Sequence, residues 1–479
     1  MLQDNSCMKT VCLFIYGWLP SVLFAQSISM QLEAGIKKLA TDEQFKHAVI
    51  SMYVADAKTG KIIFDKNSAL GLAPASCQKI ITSVTAFELL GSDFRYKTYI
   101  SHDKTIVNGE LKGNLYVTGA GDPTLGSARW KASSGEAVLN DITAVLQKNI
   151  ILSIEGGIVV DDRIVELDAI PKGWVWEDIG NYYGAGAWGL NWRENLYDVR
   201  FKTGIAANDS TVIVATRPAE IATMYSFTNL IKTGAKGSGD NGYLFSAPFT
   251  KNIIARGSVP SSSNGFTIAG SMPEPAAVFL KELNTYLKIR GVLVKGNSKS
   301  WSESLMNNKL VDIPKTVLMD SVVSPSLDSV NYWFLKKSVN LFGEALVKTI
   351  AVKLNGKGST EEGINIITNF WSRRGINPSA INIIDGSGLS PANRVTANSL
   401  VTILQFARLQ KWYASFYKAL PVINNISMKD GYINGVRTYA GYITSADGTG
   451  YTFCFMANNI AGNPGTAREK IWKLLDVLK

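Results

Sequence analysis

Ser76 and Lys79 stand three residues apart in Pro74-Ala75-Ser76-Cys77-Gln78-Lys79, ahead of an apolar run, 80–90, that ends at Gly91. Pro74 and Ser76 are helix-start residues and Gly91 is a stop. The spacing therefore predicts a helix beginning near Ser76, with the hydroxyl and the amine one turn apart on one face. That pair supplies a nucleophile and an adjacent base without histidine. The positive end of a helix would also favour the oxyanion of acyl transfer. The same spacing recurs at Ser101–Lys104 and Ser415–Lys418, so the pair takes its meaning from the rest of the chain. Only two histidines occur, His47 and His102, which argues against a Ser-His-Asp triad and a histidine-rich zinc site. No metal and no cofactor is expected. Cys77 offers a thiol beside Ser76, but neither histidine has a motif-like setting to serve it. A small packing residue is the expectation there.

Serine acyl enzymes with a lysine base carry S-x-x-K, then S-x-N, then K-T-G. The second element places a hydroxyl and an amide over the site. The third sits on an edge strand, where its Lys supports the proton network and the backbone takes substrate as an added strand. Lys58-Thr59-Gly60, Lys202-Thr203-Gly204 and Lys232-Thr233-Gly234 all spell K-T-G but come too early, and are read as turns. Of Ser262-Ser263-Asn264, Ser329-Val330-Asn331 and Ser338-Val339-Asn340, only the last lies between two helical runs. Near the C-terminus stands Lys429-Asp430-Gly431, not K-T-G.

The elements that must position these residues follow from patterning. Segments 48–55 and 61–65 read as two strands joined by a turn, followed by the Ser76 helix. Short strands and glycine turns then run to about residue 270, as a mostly β insertion. Helices return at 276–290, 326–354, 361–375 and 398–412, then a hairpin, 436–444 with 451–458, and a closing helix, 466–478. The layout is an α/β (α+β) domain, 26–92 with 271–479, split by an insertion at 93–270.

At 479 residues and 46% hydrophobic content the chain can bury sizeable cores. Its net charge of +10 is scattered, with no basic run beyond pairs such as Lys336-Lys337, so nucleic acid is not an expected partner. Lys9, the apolar stretch 11–24 and Ala25 form a secretory signal over 1–25, with Met8 an alternative start to Met1. The protein is expected to be exported, to the periplasm or cell envelope. Beyond the signal only Cys77 and Cys454 remain, too few for a disulfide scaffold.

The motifs together resemble the low-molecular-mass penicillin-binding proteins of the D-alanyl-D-alanine carboxypeptidase/endopeptidase (DacB) type. The resemblance rests on the Ser76 motif, on Gly119-Ala120-Gly121-Asp122-Pro123-Thr124-Leu125, and on Ser324-Pro325-Ser326-Leu327 leading to Ser338-Val339-Asn340. Asp385-Gly386-Ser387-Gly388-Leu389-Ser390 with Asn393-Arg394-Val395, and Lys429-Asp430-Gly431-Tyr432, complete it. It implies a β-lactamase/transpeptidase-like domain, an antiparallel sheet flanked by helices. It implies that Ser76 attacks D-Ala-D-Ala or a D-amino-acid crosslink in peptidoglycan stem peptides, with Lys79 as base. Ser338, Asn340 and Lys429 would complete the network, and the backbone N–H groups of Ser76 and Tyr432, beside Gly431, would hold the oxyanion. β-Lactam antibiotics would acylate the same serine. The Lys79 pKa should be depressed by burial or by cations such as Lys429. Asp430 departs from the pattern, which has Thr or Ser there to meet the substrate's terminal carboxylate. Weakened carboxypeptidase activity or a preference for internal crosslinks is expected. A serine β-lactamase and a non-catalytic peptidoglycan-binding relative remain alternatives, and the oligomeric state is left open. Three further expectations complete the reading. The aromatics from Trp174 to Trp192 are mainly packing, although a stacking wall beside the cleft is the alternative. Asp161-Asp162 is a solvated strand end that could otherwise bind a cation. The Asp385–Ser390 loop is a tight structural turn.

Overall fold

The computed structural model describes residues 27–309 and 312–479. The expected signal segment, with Cys7 and Cys12, lies outside the described residues. The fold is α/β, built on a six-stranded antiparallel sheet. Its strands run Ile62–Lys66, Val49–Asp56, Gly450–Asn458, Val436–Thr444, Ile426–Ile433 and Val422–Ile423. Strands about 400 residues apart meet in this sheet, in register from Val49 opposite Asn458 to Asp56 opposite Tyr451.

The Gly450–Asn458 strand shows why the sheet is covered on both sides. Cys454 and Met456 face one core, and Phe453, Phe455 and Ala457 face the other, a strict alternation of apolar residues. Helices Ile28–Ala40 and Pro464–Leu475 close the second face with Leu32, Ile36, Ile471 and Leu475. Helices Lys79–Leu90, Leu327–Lys336, Asn340–Asn355 and Ala397–Arg408 close the first. Lys79–Leu90 is apolar nearly all round, and every residue from Lys79 to Phe87 is buried. Gly91, at φ +85°, ends it.

Between Gly91 and Leu327 the chain builds another core. A five-stranded sheet orders Lys299–Ser300, Ile158–Asp161, Leu115–Thr118, Lys97–His102 and Val317–Val323, and two three-stranded sheets stand beside it. Two features differ from the sequence reading. The expected β stretch contains a 14-residue helix, Gly135–Lys148, capped by Ser134, with Val138, Leu139, Ile142, Val145 and Leu146 on its buried face. The helix Pro275–Ile289, expected to rejoin the first core after residue 270, instead packs Val278, Phe279, Leu283 and Leu287 into this other core. An amphipathic pattern reveals that a helix has a buried face, but not against which core it lies. The chain rejoins the first core with Leu327, Val330, Phe334 and Leu335.

Candidate active site

The turn that carries Ser76 is tighter than an α-helix. Ala75–Gln78 is a single 3-10 turn, and the α-helix begins at Lys79. An i, i+3 pair eclipses in 3-10 geometry, which brings the lysine over the serine. Ala75 sits at φ +44°, a left-handed conformation that costs about 1–2 kcal/mol for a residue with a Cβ. Strain of this kind persists where the surroundings over-determine the backbone. Here Thr438 Oγ1 donates to the Pro74 carbonyl at 2.6 Å, and Ala73 N donates to Asn458 Oδ1 at 2.8 Å.

Lys79 is completely buried. Its Nζ lies 2.9 Å from Ser76 Oγ and donates to Asn340 Oδ1 and to the Ser387 carbonyl, both at 2.7 Å. Two acceptors therefore take two N–H bonds, and the remaining position on nitrogen faces the serine hydroxyl. Burial, and then the positive charge of Lys429, lowers its pKa to about 7, against the opposing pull of Asp385, Glu344 and Asp430. A neutral amine so placed can accept the Ser76 proton.

Asn340 opens the Asn340–Asn355 helix, and its Nδ2 donates to the Tyr183 carbonyl at 2.8 Å. Ser338, at φ +56° between two helices, lines the cleft, but no hydrogen bond joins it to Lys79 or Lys429. Lys429 lies on Ile426–Ile433, 1% exposed, and donates to Asp430 Oδ1 at 2.8 Å. Asp430 is thus turned onto Lys429. Burial works to raise its pKa, but Lys429 and, further off, Arg437 hold it below the ordinary carboxylate value. A Cβ on Gly431 would stand 2.1 Å from Thr438 Oγ1 and 2.9 Å from Ser76 N, so only glycine lets this strand approach the nucleophile. Tyr432 is 49% exposed at the cleft, under the Arg437 guanidinium.

Several residues around this centre have roles the sequence did not disclose. The Asp385–Ser390 loop does more than turn, because its Ser387 carbonyl holds Lys79. Asp385 is fully buried and accepts from Gln78, Trp174, Gly388, Ser390 and Asn393. Glu344, one turn beyond Asn340, accepts from Gly386 N, and burial and then Asp385 push its carboxyl above the ordinary carboxylate range. Trp174, Trp188 and Trp192 are buried, in line with packing, whereas Tyr182 and Tyr183 line the cleft with Val175, Glu177 and Asp178. The wall therefore faces the cleft at its tyrosines. The cleft measures about 890 Å³ and reaches from Ser76 to Tyr243.

Other expectations are corrected. Asp161 and Asp162 are buried: Asp161 pairs with Arg163, and Asp162 accepts from Ser302, so neither is a solvated end or faces the cleft. Lys232-Thr233-Gly234 lies inside the Ser226–Gly234 strand, and Lys202 ends the strand Leu196–Lys202, so only the earliest K-T-G is a simple turn. Cys77 is buried with Sγ donating to the Lys429 carbonyl at 3.2 Å, and burial pushes its thiol up to about 12. It is the packing residue that the sequence led us to expect. Ser101 sits in the strand Lys97–His102 and Lys104 lies beyond its end, so no helical turn pairs them. Among the described residues no group of His, Cys, Asp and Glu could hold a metal, and no helix is long and apolar enough to cross a membrane.

A family model described as D-Ala-D-Ala carboxypeptidase 3 (S13) matches residues 32–423. A D-alanyl-D-alanine carboxypeptidase of Actinomadura sp. strain R39 is 26% identical over 445 residues, which cover 87% of this chain and 79% of that protein. The D-alanyl-D-alanine carboxypeptidase DacB of Haemophilus influenzae is 22% identical, with 92% of each chain covered. The crystal structure of penicillin binding protein 4 (dacB) from Haemophilus influenzae is similar in fold, with a TM-score of 0.78 at 20% identity, over 93% of this chain and 97% of that one. The same protein complexed with a novel beta-lactam gives 0.73 at 20% identity, over 93% and 98%.

Proposed function

The chain belongs to the D-Ala-D-Ala carboxypeptidase 3 (S13) family, and from that premise we propose that it hydrolyses D-Ala-D-Ala-type bonds of peptidoglycan stem peptides through an acyl-enzyme on Ser76. The observation that carries this reading is the buried Lys79 Nζ, 2.9 Å from Ser76 Oγ and fixed by Asn340 and Ser387. In acylation, Ser76 Oγ bonds to the carbonyl carbon as its proton passes to Lys79. The C–N bond then breaks, and the proton passes from Lys79 to the leaving amine, with the Ser338 hydroxyl as relay. Water next attacks the ester, and its spare proton returns through Lys79 to Ser76. The backbone N–H groups of Ser76 and Tyr432 are the proposed oxyanion donors. Lys429 supplies positive charge beside the site, and the open edge at 429–433 takes substrate as a further strand. Glu177 and Asp178 on the cleft wall suit a stem peptide with a cationic side chain. The beta-lactam complex of the Haemophilus influenzae protein supports β-lactams as acylating inhibitors here. An envelope substrate places the protein outside the cytoplasm, in keeping with the signal pattern of its first 25 residues.

The test is covalent labelling with a fluorescent penicillin. Wild type should take label that persists, Ser76→Ala should take none, and Lys79→Met should acylate about 10²- to 10⁴-fold more slowly. Label retained by Ser76→Ala would remove the serine acyl-enzyme, and rapid release of label with turnover of penicillin would favour a β-lactamase.

A further inference from the structure

Among the described residues, the buried ammonium beside Ser76 other than Lys79 is already paired. Lys429 Nζ donates to Asp430 Oδ1 at 2.8 Å and to the Asp430 carbonyl at 2.6 Å. The Asp430 side chain is 40% exposed, and its other oxygen, Oδ2, accepts from no other residue. Gly431, the next residue, packs against Ser76 N, so this charge pair lies at the reacting centre. Yet neither Lys429 nor Asp430 lines the 890 Å³ cleft, which runs from Ser76 along the tyrosine wall. The Lys429–Asp430 pair thus borders the reacting centre outside that cleft. Other charges nearby are Lys79, buried behind Ser76 with Asp385 and Glu344 around it, Arg437, whose guanidinium stacks 4.1 Å from the centre of the Tyr432 ring, and Lys337, Glu177 and Asp178, which line the cleft.

Building on the acyl-enzyme reading above, we propose that Asp430 makes this border a leaving-group subsite for a residue that presents a hydrogen-bond donor, a carboxamide or an ammonium, in place of a free carboxylate. A free carboxylate would approach the Asp430 carboxylate with the nearest cation already occupied, and like charges brought together at a part-buried site are strongly disfavoured. An N–H group would meet the open Oδ2 in a charge-assisted hydrogen bond. The substrate class is a D-residue linkage whose leaving residue has its carboxyl amidated or otherwise neutralised, rather than a free D-Ala-D-Ala end.

The experiment compares kcat/KM for diacetyl-L-lysyl-D-alanyl-D-alanine and for its C-terminal carboxamide, in wild type, Asp430→Asn, Asp430→Thr and Arg437→Gln. The ratio of the two peptides within one protein cancels any loss of fold or of the nucleophile. Wild type should prefer the carboxamide by about tenfold or more, and both Asp430 variants should move the ratio towards the free acid by a similar factor. A wild-type preference for the free acid that Asp430→Asn leaves unchanged overturns the subsite. So does such a preference that Arg437→Gln abolishes, since Arg437 would then be holding the carboxylate. If penicillin labels Ser76 while these ratios fail, only the subsite falls. No label and no cleavage of either peptide would remove the acyl-enzyme reading, and the subsite with it.

Discussion

In the proposed acylation a protonated lysine cannot take the Ser76 proton, so the charge state of Lys79 would set the pH at which acylation begins. With its pKa lowered to about 7 by burial and by Lys429, penicillin acylation should rise as pH increases through that value. The neighbours should move the midpoint in opposite directions. Lys429→Met removes a cation that disfavours the ammonium and should raise it, while Asp430→Asn removes an anion that favours the ammonium and should lower it. Acylation rates measured from about pH 5 to 9 check both signs, and shifts in the same direction would refute this electrostatic arrangement. Ser76 and Lys79 were legible because their partnership is local. That Ser387 offers its carbonyl to Lys79 was not, because a backbone oxygen has no sequence signature.

At the scale of elements, the nucleophile's turn is wedged between a loop and a strand by close backbone approach. Gly388, at φ +81°, leaves no room for a Cβ, which would stand 1.9 Å from the Ala75 carbonyl. Gly388→Ala should lower the penicillin acylation rate by about tenfold or more. Gly375→Ala is the control: its φ is +86° with nothing within 4 Å, so it should cost only about 1 kcal/mol of stability and leave acylation intact. Equal effects of the two would show that backbone strain alone, not the contact with Ala75, matters. Asp385→Ala strands the buried donors of Trp174, Gly388 and Ser390, and denaturant unfolding should show a loss of about 3 kcal/mol or more. The glycines and aspartate of this loop are visible in the sequence as a turn. Their second purpose, fitting the loop against Ala75 and Lys79, depends on a strand of chain some 300 residues away.

Across the whole molecule, the segment that forms the cleft wall is strapped to the helices behind the site. Lys348 Nζ, buried in the Asn340–Asn355 helix, donates to the carbonyls of Asp168 and Ala187. Trp174 donates to Asp385, Ser390 to the Gly173 carbonyl, and Asn340 to the Tyr183 carbonyl. The wall therefore shares Asn340 with the base. Lys348→Met should raise hydrogen exchange across 164–188 and leave exchange in the Ile28–Ala40 helix unchanged. Linkage gives a second readout. Burial lowers the Lys348 pKa to about 8 from an ordinary 10.5. Between these values the unfolded chain binds the extra proton, so this group makes stability rise with pH. Unfolding free energies at about pH 8 and about pH 10 should shift in favour of wild type relative to Lys348→Met. An unchanged difference would place the lysine's proton elsewhere.

The sequence by itself determined the Ser76–Lys79 spacing, the helix stop at Gly91 and the terminal hairpin. These follow from spacings within one turn or one strand, where covalent geometry fixes which side chains meet. Only the tertiary structure decided that Pro275–Ile289 packs in the insertion's core, that Tyr182 and Tyr183 face the cleft while Trp174 does not, and that Asp430 is spent on Lys429. Each of those outcomes depends on which surfaces meet across hundreds of residues, and an amphipathic pattern specifies a buried face without naming its partner.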